Sequence, residues 1–323
     1  MKLILGFLIV LLALRGDTQV QFPSASISNG LIKAGLYLPD KDKGYYRGSR
    51  FDWSGVMPSL EYQGHSYFGQ WFERYSPTLH DAIMGPVEAF YPIDFETAKP
   101  GEDFLIIGIG AVTRPDDKKY SIATPYPIKN AGKWKVRKKE DQVTFKHKLK
   151  ALGYAYDYQK TIRLEKEKPE MVISHTLKNT GPKAIETNVY NHNFFVLDGQ
   201  AVGPDFVVRF PYTISGDVQR GNDLGGLRDK EIVFYKTLEK NTSLYFAALQ
   251  GFGEDAKDYD IRIENHKTGA AVRITSDQPL MKLAFWSTQM TLCPEPFARI
   301  SVKPGEAFNW EVRYEFYTCE IRD

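Results

Sequence analysis

The sequence is poor in cysteine, nearly neutral in charge, and without a second long apolar run, and each shortage removes a class of protein. Two cysteines, Cys293 and Cys319, in 323 residues cannot form a disulfide framework. An oxidising compartment would let them pair, but a chain of this length builds a core without that help. A formal net charge of +2 does not suggest the concentrated basic face that nucleic acid requires. Beyond residue 14 no stretch has the length and apolarity of a membrane-spanning helix. Helical periodicity is not sustained for more than a couple of turns, and no strand–helix–strand alternation appears, which excludes bundles and doubly wound folds. Internal repeats and low-complexity linkers are also missing.

What is present starts with a leader. Lys2 precedes the apolar run Leu3–Leu14, and Arg15, Gly16, Asp17, Thr18 and Gln19 follow at once. The run has the size of a signal-peptide core and is too short to span a bilayer. We read residues 1–19 as a cleaved secretory signal. No cysteine follows to carry a lipid anchor, so the mature protein, residues 20–323, is expected to be secreted or periplasmic. Removing Lys2, Arg15 and Asp17 takes away one positive charge and leaves +1.

Period-two alternation dominates the remainder. Phe308, Trp310, Val312, Tyr314 and Phe316 alternate with Asn309, Glu311, Arg313, Glu315 and Tyr317, the pattern of a half-buried strand. Val143–His147, Tyr154–Leu164, Met171–Leu177, Ile232–Leu238, Leu244–Gln250, Ile261–Glu264, Ala271–Thr275 and Leu280–Trp286 read likewise. Turn-forming residues separate them: Asn179-Thr180-Gly181-Pro182, Thr268-Gly269, Asp277-Gln278-Pro279 and Lys303-Pro304-Gly305. Aromatic residues make up 14% of the chain; they favour strands and also offer flat faces to sugar rings. Strands at this spacing predict one all-β domain with mostly antiparallel sheets, a sandwich or barrel. Residues 40–90 and 199–230 look irregular, and long polar loops on a rigid sheet commonly carry binding groups.

Two short segments can carry acid–base chemistry. In Asn191-His192-Asn193-Phe194-Phe195, a histidine that titrates near neutrality stands between two amides able to hold one tautomer. In Cys293-Pro294-Glu295-Pro296, a carboxylate stands on a stiff backbone beside an apolar strand, where partial desolvation would raise its pKa. Each alone fits a structural role better: a satisfied core histidine, an exposed loop glutamate.

Taken in order, these segments resemble galactose mutarotase (aldose 1-epimerase) proteins. The turn Asn179-Thr180-Gly181, a strand, and Asn191-His192-Asn193-Phe194-Phe195 are similar to that family's "N-H-x-Y-F-N-L" region. Thr268-Gly269, Asp277-Gln278-Pro279, Cys293-x-Glu295, Pro304-Gly305-Glu306 and Tyr314-x-Phe316 follow the order of its C-terminal landmarks. The resemblance covers roughly residues 170–317 and is looser before residue 100. It implies a large antiparallel two-sheet β-sandwich, often called a supersandwich, with a sugar groove on one sheet face, no metal and no cofactor. It also implies a monosaccharide or glycan ligand and a monomer or simple homodimer. His192 falls on the family's general acid and Glu295 on its general base, acting together to open the ring. Leu79-His80-Asp81 matches half of an "L-H-G-G" motif and offers His80 as a sugar-binding residue. The family's "N-R-I" arginine has no match; Arg47 or Arg50 could replace it. Asp205 or Asp229 could supply a site aspartate, and Asn191 lies beside the histidine. Central "F-N-L" reads Phe195-Val196-Leu197 here, which implies a divergent branch. The competing expectations are a carbohydrate-binding protein without turnover and a polysaccharide-lyase-related accessory protein.

Three lesser features remain. Lys133, Lys135, Arg137, Lys138 and Lys139 flank Trp134; on an edge strand such residues discourage intermolecular pairing, and the alternative is contact with an acidic polysaccharide. Glu254, Asp255, Asp258 and Asp260 form an acidic loop without EF-hand spacing. Asn241-Thr242-Ser243 fits a glycosylation sequon.

Overall fold

A computed structural model describes residues 21–322. The leader read at residues 1–19 lies outside them. Nearly all regular structure is β, and the only helical element among the described residues is the short 3-10 turn Ala256–Asp258.

Two antiparallel sheets form the body. The larger has ten strands, in the spatial order Gly225–Arg228, Glu231–Phe234, Phe206–Arg209, Asp260–Asn265, Ala270–Ser276, Ala307–Thr318, Glu170–Asn179, Tyr154–Leu164, Gln142–Ala151 and Lys133–Lys138. The smaller has five, ordered Ser243–Leu249, Lys282–Thr288, Thr291–Val302, Ile185–Phe194 and Gly85–Phe90. A four-stranded sheet built on Ser24–Ser28 and Ile32–Tyr37 and a three-stranded sheet spanning Asp103–Asn130 cover the flanks. This is the all-β, two-sheet sandwich expected from the sequence.

The alternating strands fall where the pattern placed them. Tyr154–Leu164 alternates buried and half-buried at every step, and its inward residues meet the apolar core between the sheets. One strand, and the second half of another, carry no alternation. Gly85–Phe90 is buried at all six positions, and Tyr190–Phe194 is buried throughout. Strands covered on both faces lose the polar half of the pattern, so residues 85–90 sit inside a stretch that reads as loop. The segment 52–57 runs along that strand's free edge: Asp52 N–H donates to Glu88 O at 2.8 Å and Met57 N–H to Met84 O at 3.0 Å. Gly85 permits the approach. Its φ is +85°, and a Cβ there would stand 2.6 Å from Met57 Cβ. This contact carries Arg50 and Phe51 over the five-stranded sheet.

Both cysteines are free, Cys293 buried and Cys319 half-buried. Three carboxylates of the acidic loop are engaged locally. Asp255 caps the 3-10 turn through Lys257 N–H, Asp258 accepts from Gly253 N–H, and Asp260 holds Arg273 through two bonds of 2.9 and 2.8 Å.

Candidate active site

Register brings His192 and Glu295 together. Strands Ile185–Phe194 and Thr291–Val302 pair antiparallel up to Tyr190↔Phe297, and the isolated bridge Phe195↔Leu292 continues the same register. His192 therefore faces Glu295 directly across the sheet. Between those two anchor points Pro294 and Pro296 have no N–H to donate, so the ladder lapses and the carboxylate is held by its neighbours. The sequence suggested a loop glutamate; the structure places it inside a twelve-residue strand, 9% exposed. His192 Nε2 lies 3.3 Å from Glu295 Oε1.

Strand alternation sorts the rest of the segment. Tyr190, His192 and Phe194 project from the outer face of the five-stranded sheet into a cavity of about 490 Å³. Asn191 and Asn193 point the other way, into the space between the sheets. Asn191 donates to Glu88 at 3.3 Å, and the single Tyr314 hydroxyl is shared between Asn191 Oδ1 at 2.7 Å and Asn193 Oδ1 at 2.8 Å. Thus neither amide orients the histidine, because neighbours in a strand face opposite sides. Instead the imidazole is fixed by packing. It stacks on Phe194 with centroids 3.9 Å apart, and Phe51 meets it edge-on at 5.5 Å. Its Nδ1 is buried without a hydrogen-bond partner.

Arg50 closes one wall. Its guanidinium is buried, pairs with Asp81, donates to Tyr190 OH at 3.4 Å, and lies 4.5 Å above the Phe51 ring. His80 Nε2 lies 2.9 Å from the other oxygen of Asp81. Asp81, not His80, lines the cavity, and His80 stands behind it. Aromatic residues supply the remaining surface: Tyr91, Tyr120, Tyr245, Trp286 and Phe297, with Lys282 and Arg220 adding positive charge.

Electrostatics follow from this burial. Desolvation raises the Glu295 pKa to about 7, against the lowering pull of Arg50 and Lys282. Desolvation and then the Arg50 charge push His192 well below its ordinary value. In the free site His192 is neutral, and near neutral pH one proton is poised on the carboxyl. Burial also acts to raise Asp81, but His80 and Arg50 outweigh it and hold that pKa below its usual value.

The other sequence candidates lie elsewhere. Arg47 lines a separate cavity with Gly48, Ser49 and Tyr126. Asp205 is exposed, and its carbonyl accepts the His266 N–H at 2.8 Å. Asp229 accepts from Thr213 Oγ1 at 2.8 Å. Sequence reasoning missed Tyr190, Asp81, Tyr245 and Phe297. Tyr190 and Phe297 were recoverable, since period two puts them on the faces of His192 and Glu295. Tyr120 and Arg220 arrive from irregular segments and left no such signal. Among the described residues no group of three or more His, Cys, Asp or Glu side chains is placed to hold a metal ion.

Comparison with known proteins identifies the fold. No family model and no curated protein matches the chain. Solved structures do. Slr1438 from Synechocystis superposes with a TM-score of 0.56 at 13% identity, over 93% of this chain and 97% of that one. A galactose mutarotase-like protein from Lactobacillus casei gives 0.55 at 15%, over 91% and 100%. An aldose epimerase homologue from C. elegans gives 0.54 at 14%, over 91% and 98%. The fold is that of the galactose mutarotase-like proteins, at a sequence distance that fits a divergent branch.

Proposed function

We propose that the protein interconverts the anomers of an aldose by acid–base ring opening, with His192 and Glu295 as the proton-transferring pair. The observation that carries the reading is the cross-strand pair itself: an imidazole and a carboxyl with a pKa near 7, 3.3 Å apart, under aromatic walls able to stack a sugar ring. One member takes the proton of the anomeric hydroxyl while the other gives one to the ring oxygen. The open chain then rotates about its first carbon–carbon bond, and the reverse transfers close the ring on the other face. The pair's proton count is unchanged over the cycle. The resemblance assigns acid to His192 and base to Glu295, whereas the charges of the free site place the proton on Glu295. These are two tautomers of one singly protonated pair, and a pH profile reports only their sum. Arg50 and Tyr190, which line the same cavity, orient sugar hydroxyls in this reading. The proposed setting is outside the cytoplasm, following the leader-like N-terminus.

Polarimetry of freshly dissolved glucose and galactose tests this. A positioned acid or base contributes about 10²–10⁴-fold, so His192→Ala and Glu295→Ala are each expected to remove the acceleration. A second reading, sugar binding without turnover, is favoured by one observation: His80 does not line the cavity. Saturable sugar binding by the wild-type chain with no acceleration would decide for it.

A further inference from the structure

We propose that a second surface, on the outer face of the ten-stranded sheet and remote from the groove, binds an acidic polysaccharide. The edge strand Lys133–Lys138 turns Trp134 and Val136 inward and leaves Lys133, Lys135 and Arg137 exposed. Its register with Gln142–Ala151 sets Lys133 opposite Lys148 and Lys135 opposite Lys146. Across the next two strands the Lys148 row continues to Asp157 and then Lys178. Directly opposed residues in an antiparallel pair stand about 5 Å apart, and like charges there are destabilising. The chain carries two such pairs side by side.

Protection of a sheet edge does not account for this. Lysines on Lys133–Lys138 would serve that purpose, but Lys146 and Lys178 lie on interior strands. Charge elsewhere on the same sheet is balanced: Arg209 pairs with Glu231 and Glu264, Arg273 with Asp260, and Arg313 with Glu170 and Glu311. Among the described residues Lys133, Lys135, Arg137, Lys146 and Lys178 make no ion pair; in the patch only Lys148 does, with Asp157.

The neighbouring rows define the ligand class. Next to the lysines the face presents Thr144, Thr161, Gln159, Thr176 and Asn309, with Thr176 Oγ1 donating to Asn309 Oδ1 at 2.7 Å. A flat grid of hydroxyls and amides beside fixed cations suits a chain bearing both hydroxyls and carboxylates or sulfates. Aromatic residues of these strands, Tyr156, Tyr158 and Trp310, are buried on the opposite face, so the patch has none of the stacking platforms used for single-stranded nucleic acid. The site is independent of turnover in the groove.

Affinity electrophoresis of the full chain through gels containing alginate, a polyuronate, tests the proposal, with neutral dextran as control. Alginate is expected to retard the protein and dextran is not, and retardation falls with added salt. The double variant Lys135→Gln/Lys146→Gln is expected to weaken alginate binding about tenfold, two exposed ion pairs being lost. Lys230→Gln/Lys267→Gln, with the same loss of charge elsewhere, is expected to change it less than twofold. Circular dichroism and anomer exchange of both variants should match the wild type. Absence of retardation, an equal effect of the control variant, or tighter binding to phosphatidylglycerol vesicles or a single-stranded oligonucleotide than to alginate would overturn it. Loss of anomer exchange in groove variants leaves these arms untouched, so the two proposals fail separately.

Discussion

Glu295 links chemistry and stability through one buried carboxyl. Its folded pKa of about 7 exceeds the ordinary value of 4.5. Between those values the folded chain holds a proton that the unfolded chain has lost. The group's stabilising contribution is therefore complete below pH 4.5 and is lost as pH rises to about 7. A shift of this size corresponds to roughly 3 kcal/mol. Glu295→Gln should accordingly stabilise the protein by roughly 2–3 kcal/mol in urea unfolding at pH 8, have little effect at pH 4, and abolish anomer exchange. Activity should titrate with the same group. The competent pair is singly protonated, so kcat/KM is expected to fall as pH rises through about 7. His192, held neutral, should add no limb near its ordinary pKa. Lys282 lowers the Glu295 pKa, so Lys282→Gln should move the falling limb to higher pH; a limb that stays in place would detach it from Glu295.

Among the elements, Gly85–Phe90 and Ile185–Phe194 matter most; a strand before Asn191 was legible, whereas Gly85–Phe90 was not. Their apolar contact with the ten-stranded sheet, through Phe90, Tyr158 and Trp310, encloses a polar cluster. Lys160, 0% exposed, pairs with Glu88 and donates to Ser54 O at 3.0 Å. Burial acts to raise Glu88, but Lys160 and His175 hold its pKa down at about 2. An ionised Glu88 only accepts, so His175 Nε2, 3.0 Å away, donates to it, while Trp310 stacks on the imidazole at 4.3 Å. Glu88 stands opposite Asn191 in the ladder, next to the catalytic candidate, so this cluster sets the strand that presents His192. Removing one partner leaves a buried charge unpaired. Lys160→Met should cost about 3–5 kcal/mol in urea unfolding, and adding Glu88→Gln should recover much of it. An additive loss in the double variant would contradict the pairing. The alternating strands of the ten-stranded sheet were legible because one face meets water. Glu88 and Lys160 gave no signal, since a charged residue in a strand pattern reads as the solvent side until its partner across the core is known.

For the whole molecule, the near-neutral composition concealed a segregated surface. Summed charge did not suggest a basic face and the sequence showed only the local run Lys133–Lys139, yet the register adds Lys146 and Lys178 to Lys133 and Lys135 on one side of the sheet. Composition averages over precisely the spatial separation that strand pairing creates. The fold class and the two residues of the pair were legible from ordered landmarks in the second half of the chain. The upstream wall was legible only in part: Arg50 was one of two arginines the sequence offered, but it and Asp81 reach the groove through loop contacts rather than a periodic element, so no pattern chose it over Arg47 or pointed to Asp81. The central claim is that this sandwich presents one proton-sharing pair to a sugar. NMR exchange spectroscopy on an equilibrated aldose measures α–β interconversion directly. With wild-type protein, exchange peaks between the anomers are expected well above the protein-free rate, and they should vanish with His192→Ala and with Glu295→Gln. Exchange equal to the protein-free rate for wild type, or undiminished in both variants, would contradict the account.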